Sequence, residues 1–250
     1  MRILGIESSS LVASVALVTD EILTAEYTVD FKKTHSQTLL PMIDEVAQML
    51  ELDLNTIDAI AVAGGPGSFT GLRIGAATAK GLGLALEKPL IHVPTVDALA
   101  YNLWGARELV CPMMDARRRQ VYTGLYRMDP EMETELEQTA MDAGKLAQLL
   151  NNRGEAVIFL GDGVPVYRPL LEEQLTIPHF YAPAHMNRQR ASAVAALGKL
   201  VMEQGGRFGG AFLVSSDDFE PDYLRKPQAE REREARLNPE GAAGKLPGDV

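Results

Sequence analysis

A glycine-rich string, Gly64-Gly65-Pro66-Gly67-Ser68-Phe69-Thr70-Gly71, stands between an apolar run at 58–63 and a helical pattern at 68–86. Strand, glycine turn and helix start together present backbone N–H groups to an anion, so phosphate binding is the first chemistry to weigh. Both nucleotide fingerprints are incomplete. A P-loop needs GxxxxGK followed by Ser or Thr, and the lysine is missing; GxGxxG needs glycine where Thr70 stands. The structural reading is simpler: Gly65 and Gly67 shape the turn, and Ser68 or Thr70 caps the helix. Glu7 and Asp115 each end an apolar run and would form a carboxylate pair if they faced each other across a cleft. Beside Asp115, Arg117-Arg118-Arg119 is a local basic spot, suited to a solvated hairpin turn or to a phosphate contact. The candidate weak anion or nucleotide contacts are therefore Glu7, Ser8, Gly65, Gly67, Ser68 and Arg117.

Metal and nucleophile chemistry find less support. The four histidines, His35, His92, His179 and His185, show no helical i, i+4 pair, and HExxH is absent. The single cysteine, Cys111, sits inside an apolar run where a thiol is expected to be buried and inert, and there is no GxSxG. No catalytic and no metal-ligating residue is assigned.

The elements that must position these residues read as α/β. Apolar strand patterns fall at 2–6, 13–18, 23–31, 58–63 and 90–93, with helical patterns at 34–50 and 68–86 between them. The programme restarts with a strand at 109–114 ending at Asp115, a hairpin partner at 121–126, a helix near 145–150 and a strand at 156–160 running into Gly161-Asp162-Gly163. Strand–acid–hairpin and strand–GxG thus recur, which argues for an internal duplication and two lobes: 1–105, and 106–227 with a helix at 190–204 able to pack back on the first. The stretch 228–250 has almost no apolar residues and is expected to be a disordered tail. With 34 Asp and Glu against 24 Lys and Arg, the net charge of −10 repels phosphate backbones, so any nucleic acid would need a basic partner to hold it. No signal peptide or long apolar run is read, and the expected location is the cytosol.

The two helices of the first lobe carry unusual surfaces. On 39–51, Leu39, Leu40, Met42, Ile43, Val46, Ala47, Met49 and Leu50 cover about half the circumference, more than the stripe of about 100° that one sheet face requires. On 68–86, Gly71, Gly75, Ala79 and Gly83 recur every fourth residue as a ridge without side chains, with Gly81 as a further gap. An interior glycine costs about 0.8–1 kcal/mol relative to alanine, so a close backbone approach must offset it. The partner in that approach lies either within the domain or across a subunit boundary. An interface is expected here, on Leu39, Leu40, Met42, Ile43, Val46, Phe69, Gly71, Leu72, Gly75, Ala79, Leu82 and Gly83.

The strings ILGIESSS, AVAGGPGSFTGLRIGAATAKGLGLAL, MMDARRRQVYTGLY, LGDGVPVY and PDYLR, with the His35-Ser36 helix start, resemble the TsaB (YeaZ) family from residue 2 to about 226. The resemblance implies an actin-like, ribonuclease H-like fold of two related lobes. It also implies a role in forming N6-threonylcarbamoyladenosine at position 37 of ANN-decoding tRNAs. In that pathway a catalytic paralogue, TsaD, transfers the threonylcarbamoyl group, helped by TsaB and the ATPase TsaE. TsaD-type sequences carry HxxxH after the strand that follows the glycine-loop helix, and the two histidine positions fall here on Thr95 and Leu99, which cannot hold a metal in that role. Glu7-Ser8-Ser9-Ser10 likewise replaces the Asp-x-Gly-Thr loop of ATP-using relatives. The resemblance therefore implies a non-catalytic subunit, with no cofactor on this chain and with ATP and metal held by partner subunits. It implies a heterodimer with TsaD through the helices at 34–50 and 68–86, contact with TsaE, and tRNA met only through the complex. Left uncovered, the same apolar patch is self-complementary, so a homodimer is expected when TsaD is absent. A lone actin-fold kinase and a peptidase are the competing readings; the degenerate loops and the missing nucleophile disfavour them.

Overall fold

The computed structural model describes residues 1–31 and 34–224. The expected tail at 228–250 lies outside the described residues.

Strands β1 (Arg2–Glu7), β2 (Val12–Thr19) and β3 (Ile22–Asp30) form an antiparallel meander, followed by helix α1 (His35–Met49). Strand β4 (Ala59–Gly65) then pairs parallel with β1, helix α2 (Phe69–Leu86) crosses over, and β5 (Leu90–Pro94) pairs parallel with β4. The buried β1, β2 and β4 read as nearly continuous apolar runs because both sheet faces are covered. A short helix, α3 (Thr95–Tyr101), leads to the second sheet.

The second sheet repeats the first. Strands β6 (Leu109–Asp115), β7 (Gln120–Arg127) and β8 (Glu133–Asp142) make a meander, and α4 (Ala143–Arg153), β9 (Val157–Leu160), α5 (Val164–Gln174) and β10 (His179–Tyr181) follow. Five strands of the first sheet lie in the order β5-β4-β1-β2-β3, and the second runs β10-β9-β6-β7-β8, the same order. The duplication read from the motifs is thus visible strand for strand. The chain then returns to the first sheet. Helix α6 (Ala191–Glu203) packs on β1, β2 and β4, and β11 (Arg207–Phe208) and β12 (Ala211–Val214) extend that sheet beside β5. The helix expected at 190–204 and the two strands after it thus lie on the first sheet. Strands β11 and β12 are too short to show a period, and β8, α3 and α5 are likewise elements that apolar patterning passes over.

Helices α1 and α2 cover one face of the first sheet, with Leu39, Met42, Ile43, Ala76 and Ala79 in the core against Leu4, Val15 and Val62. Helix α6 covers the other face with Val194, Leu197 and Val201. Between the sheets, α3 places Val96, Leu99, Ala100 and Leu103 among Val110, Met114, Tyr126 and Leu160. Its Asp97 is buried, and the Tyr126 hydroxyl donates to it at 2.7 Å from the second sheet. Burial lifts the Asp97 carboxyl to about 6. Helix α3 is therefore the pin between the sheets, and its one acid is satisfied from across the joint. Tyr126→Phe should lower stability by about 1–3 kcal/mol by leaving a buried acceptor without its donor. The shift of the urea midpoint at constant slope checks this.

Candidate functional site: the glycine loop and the joint between sheets

Strand β1 ends at Glu7, and the turn Ser8-Ser9-Ser10 folds directly onto the start of α2. Ser68 caps α2, its hydroxyl accepting from Gly71 N–H at 3.3 Å. Ser68 N–H donates to the Ser9 carbonyl at 2.6 Å, and the Ser8 hydroxyl donates to the Gly71 carbonyl at 2.9 Å. Gly65 N–H donates to Thr95 Oγ1 at 3.2 Å. The N–H groups of Gly65, Ser68 and Gly71 that a phosphate would need are thus held by the protein's own oxygens. The glycines are required for this closure. A Cβ at Gly67 would strike the Ser9 carbonyl, one at Gly71 the Ser8 carbonyl, and one at Gly75 the Ser8 hydroxyl. Gly65, at a φ of +124°, approaches the Asp222 carbonyl.

A strap at 215–224 seals the loop from outside. Asp222 N–H donates to the Gly64 carbonyl at 2.6 Å, and Phe219 is buried in the core beneath. Lys80 Nζ donates to the carbonyls of Asp217 and Phe219 at 2.9 and 3.2 Å. Tyr223 lies 4.9 Å from the Phe69 ring, which the Arg73 guanidinium also covers at 4.0 Å. The strap's share of the site had one sequence signal, the string PDYLR, without any geometry attached to it.

The acids do not pair as their strand ends suggest. Asp115 accepts from Arg117 N–H at 2.9 Å and from the Tyr167 hydroxyl at 3.1 Å, both within its own lobe. Glu7 is fully buried and accepts from Ser9 N–H at 2.6 Å; loss of solvent lifts it to about 7, and Asp162 of the second lobe pushes in the same direction. Burial also raises Asp162, which accepts from Gln189 Nε2 at 3.4 Å. Arg188 closes the joint: its guanidinium reaches the Gly161 carbonyl at 3.4 Å and Asp30 of β3 at 3.3 Å, while Arg190 pairs with Glu26 of the same strand. Asp162, Arg188 and Gln189 as a clamp were not legible, since no spacing links 162 to 188. Arg117 stands apart on the β6–β7 hairpin. There Arg117, Arg118 and Arg119 have φ values of 64°, 54° and 64°, a left-handed run costing roughly 1–2 kcal/mol per residue.

The expected interface residues divide. Leu39, Met42, Ile43, Val46, Gly71, Leu72, Gly75, Ala79 and Gly83 are buried by the chain's own atoms, Gly83 against Ser216. The partner in the glycine approach is therefore the β1–β2 turn and the strap, both within this chain. Phe69 and Leu82 are half-buried. Leu40 is 54% exposed; outside the expected set, Met49 and Leu84 are 80% and 56% exposed, and Gly81 is exposed with open space where a Cβ would go. Thr95 and Leu99 are wholly enclosed, Leu99 within the core between the sheets. Among the described residues no three His, Cys, Asp or Glu side chains gather as a metal would require.

Two sheets of one strand order, joined through α3 and each bearing a glycine loop after its fourth strand, define an actin-like α/β protein of two lobes. The family model described as TsaD, tRNA N6-adenosine threonylcarbamoyltransferase, matches residues 29–233. The tRNA threonylcarbamoyladenosine biosynthesis protein TsaB of Bacillus subtilis is 33% identical over 92% of this chain and 96% of its own length. The TsaB of Escherichia coli is 38% identical over 52% of this chain and 56% of its own. The solved structure of YeaZ from Pseudomonas aeruginosa superposes with a TM-score of 0.75 at 25% identity, covering 89% of this chain and 99% of that one. The chain belongs to the TsaB family, which is named for tRNA threonylcarbamoyladenosine biosynthesis.

Two outcomes follow from the burial. Glu7 keeps its proton to about pH 7 in the folded chain against 4.5 as its ordinary value, and Asp97 to about 6 against 3.8. Between those limits the folded state binds more protons, so stability falls as pH rises through the window. The melting temperature should be higher near pH 5 than near pH 7.5, and Glu7→Gln should remove up to roughly 3 kcal/mol of that dependence. Gly75→Ala should destabilise, because its Cβ meets Ser8, whereas Gly81→Ala should be neutral or stabilising by up to about 1 kcal/mol. Thermal melts of the two alanine variants read the difference.

Proposed function

We propose that this chain is a non-catalytic subunit in N6-threonylcarbamoyladenosine formation at position 37 of ANN-decoding tRNAs, acting by binding a TsaD-type transferase and supporting its active arrangement. The reading rests on the positions where TsaD-type sequences carry the two histidines of HxxxH. Thr95 spends its hydroxyl on Gly65 N–H, and Leu99 fills the core between the sheets. Neither could turn to a metal without breaking the joint. The loop supports the same reading, since it spends the N–H groups of Gly65, Ser68 and Gly71 on the chain's own oxygens and so favours nucleotide being held by partners, a TsaE-type ATPase among them. No helix among the described residues is long and apolar enough to cross a membrane, which fits work in the cytoplasm.

The association surface in this reading is the outer side of α1 and α2, which keeps Leu40 and the exposed parts of Phe69 and Leu82 from the sequence expectation and adds Met49, Gly81 and Leu84. Without the transferase, two copies would cover the same residues as a homodimer.

Gly81→Arg and Leu84→Asp should melt like the parent chain yet lose at least tenfold in affinity for the transferase, measured by calorimetry, and fail to support modification of a tRNA transcript. Parental affinity in both variants would remove this surface from the proposal. Modification by the transferase and ATPase at full rate without this chain would remove the function.

A further inference from the structure

We propose that the hairpin tip Arg117-Arg118-Arg119 is an RNA contact, taking two or three phosphates of the tRNA backbone. Side chains of Arg117 and Arg119 are 87% and 72% exposed, and Arg118 is exposed as well. Arg117 and Arg119 each make one long ion pair, to Asp115 at 3.7 Å and to Asp142 at 3.9 Å, and among the described residues no carboxylate lies within ion-pair reach of Arg118. On a chain of net charge −10, three adjacent guanidiniums with such weak internal pairing are the exception.

The tip is also rigid, which separates it from a solvated turn. Gln120 N–H donates to the Arg117 carbonyl at 3.1 Å and Ala116 N–H to the Gln120 carbonyl at 3.0 Å. Ala143 N–H, at the start of α4, donates to the Arg119 carbonyl at 3.0 Å, and the Tyr167 hydroxyl reaches the Gln120 carbonyl at 3.1 Å. Three consecutive left-handed residues with long side chains are held in place by these bonds. Glycine or asparagine would suit that backbone better. Strain kept in one conformation by its surroundings is a mark of a working position. Guanidinium presents a planar fork that matches phosphate oxygens in pairs. Lys145, exposed in the first turn of α4 beside Asp142, adds a fourth cation at the same edge.

This assignment deepens the proposed role in tRNA modification and rests on it. It also revises the expectation that the acidic charge leaves tRNA wholly to the partners: the repulsion is general, while the attraction is confined to one tip. Few phosphates can be engaged, so the salt dependence should be shallow, with a slope of log K against log salt of about −2 to −3.

The test uses the full chain with a fluorescent, unmodified tRNA transcript, by anisotropy over a range of KCl. The variant Arg117→Ser/Arg118→Gly/Arg119→Ser should bind at least tenfold more weakly at low salt, lose most of the slope, and melt no lower than the parent chain. A second variant, Arg118→Gly alone, should weaken binding threefold or more while melting higher, because strain is relieved. No measurable binding by the parent chain at low ionic strength, or equal binding by the triple variant, overturns the proposal. So does displacement by polyglutamate as effective as by unlabelled tRNA, which would mark an acidic protein as the occupant. The triple variant should still bind the transferase. Normal association without an RNA difference removes this inference alone, whereas failure of the parent chain to associate at all removes the reading beneath it.

Discussion

The structure turns on one close approach, the seating of the Ser8-Ser9 turn against the glycine face of α2. Removing side chains at Gly67, Gly71 and Gly75 lets the turn after β1 touch the helix backbone, and Ser68 N–H and the Gly71 carbonyl become partners of Ser9 and Ser8. The second lobe repeats the device. Gly163 N–H donates to the Met113 carbonyl at 2.9 Å, and a Cβ at Gly161 would strike the same oxygen. In both lobes a glycine loop after the fourth strand is pressed onto the end of the first. The glycines look like a phosphate cradle in sequence and serve as a weld in the fold.

The weld sets the electrostatics of the joint. Glu7, fully buried, and the partly buried Asp162 lie near each other, and loss of solvent pushes both toward their neutral forms. Phosphate would meet acids there, and the N–H groups of Gly65, Ser68 and Gly71 are already taken. Positive charge at the joint is spent on the clamp, where Arg188 and Arg190 reach Asp30 and Glu26. The interior of the cleft therefore holds the lobes together, and both proposed contacts, the α1–α2 surface and the arginine tip, lie outside it.

Much of this was legible and some was not, for definable reasons. Strand runs at 2–6 and 58–63, the helices at 34–50 and 68–86 and the duplication could be read because burial on both faces and helical periodicity leave strong patterns. The four-residue spacing of Gly71, Gly75, Ala79 and Gly83 identified a ridge but not what lies across it. A ridge facing the chain's own turn and one facing a partner have the same sequence. The surplus apolar surface of α1 was overcounted for a related reason: Leu39, Met42, Ile43 and Val46 are used up by β2, β3 and α2 together, and only Leu40 and Met49 remain outside. The clamp at 187–190 and the strap at 215–224 had no period at all, because their contacts are made by backbone carbonyls and single side chains far apart in the chain.

The two positions where TsaD-type sequences carry the histidines of HxxxH are committed here to holding the fold together. A histidine at 95 would have to leave the bond that Thr95 makes to Gly65 N–H, and a histidine at 99 would bring a polar ring among Val110, Met114 and Leu160. An imidazole buried without a partner there costs about 1–3 kcal/mol, a sizeable fraction of the stability of an ordinary domain. Threonine and leucine instead support the loop and pack the pin. Under the proposed reading, in which chemistry is left to a partner, the same two residues that exclude a metal also stabilise the joint between the sheets.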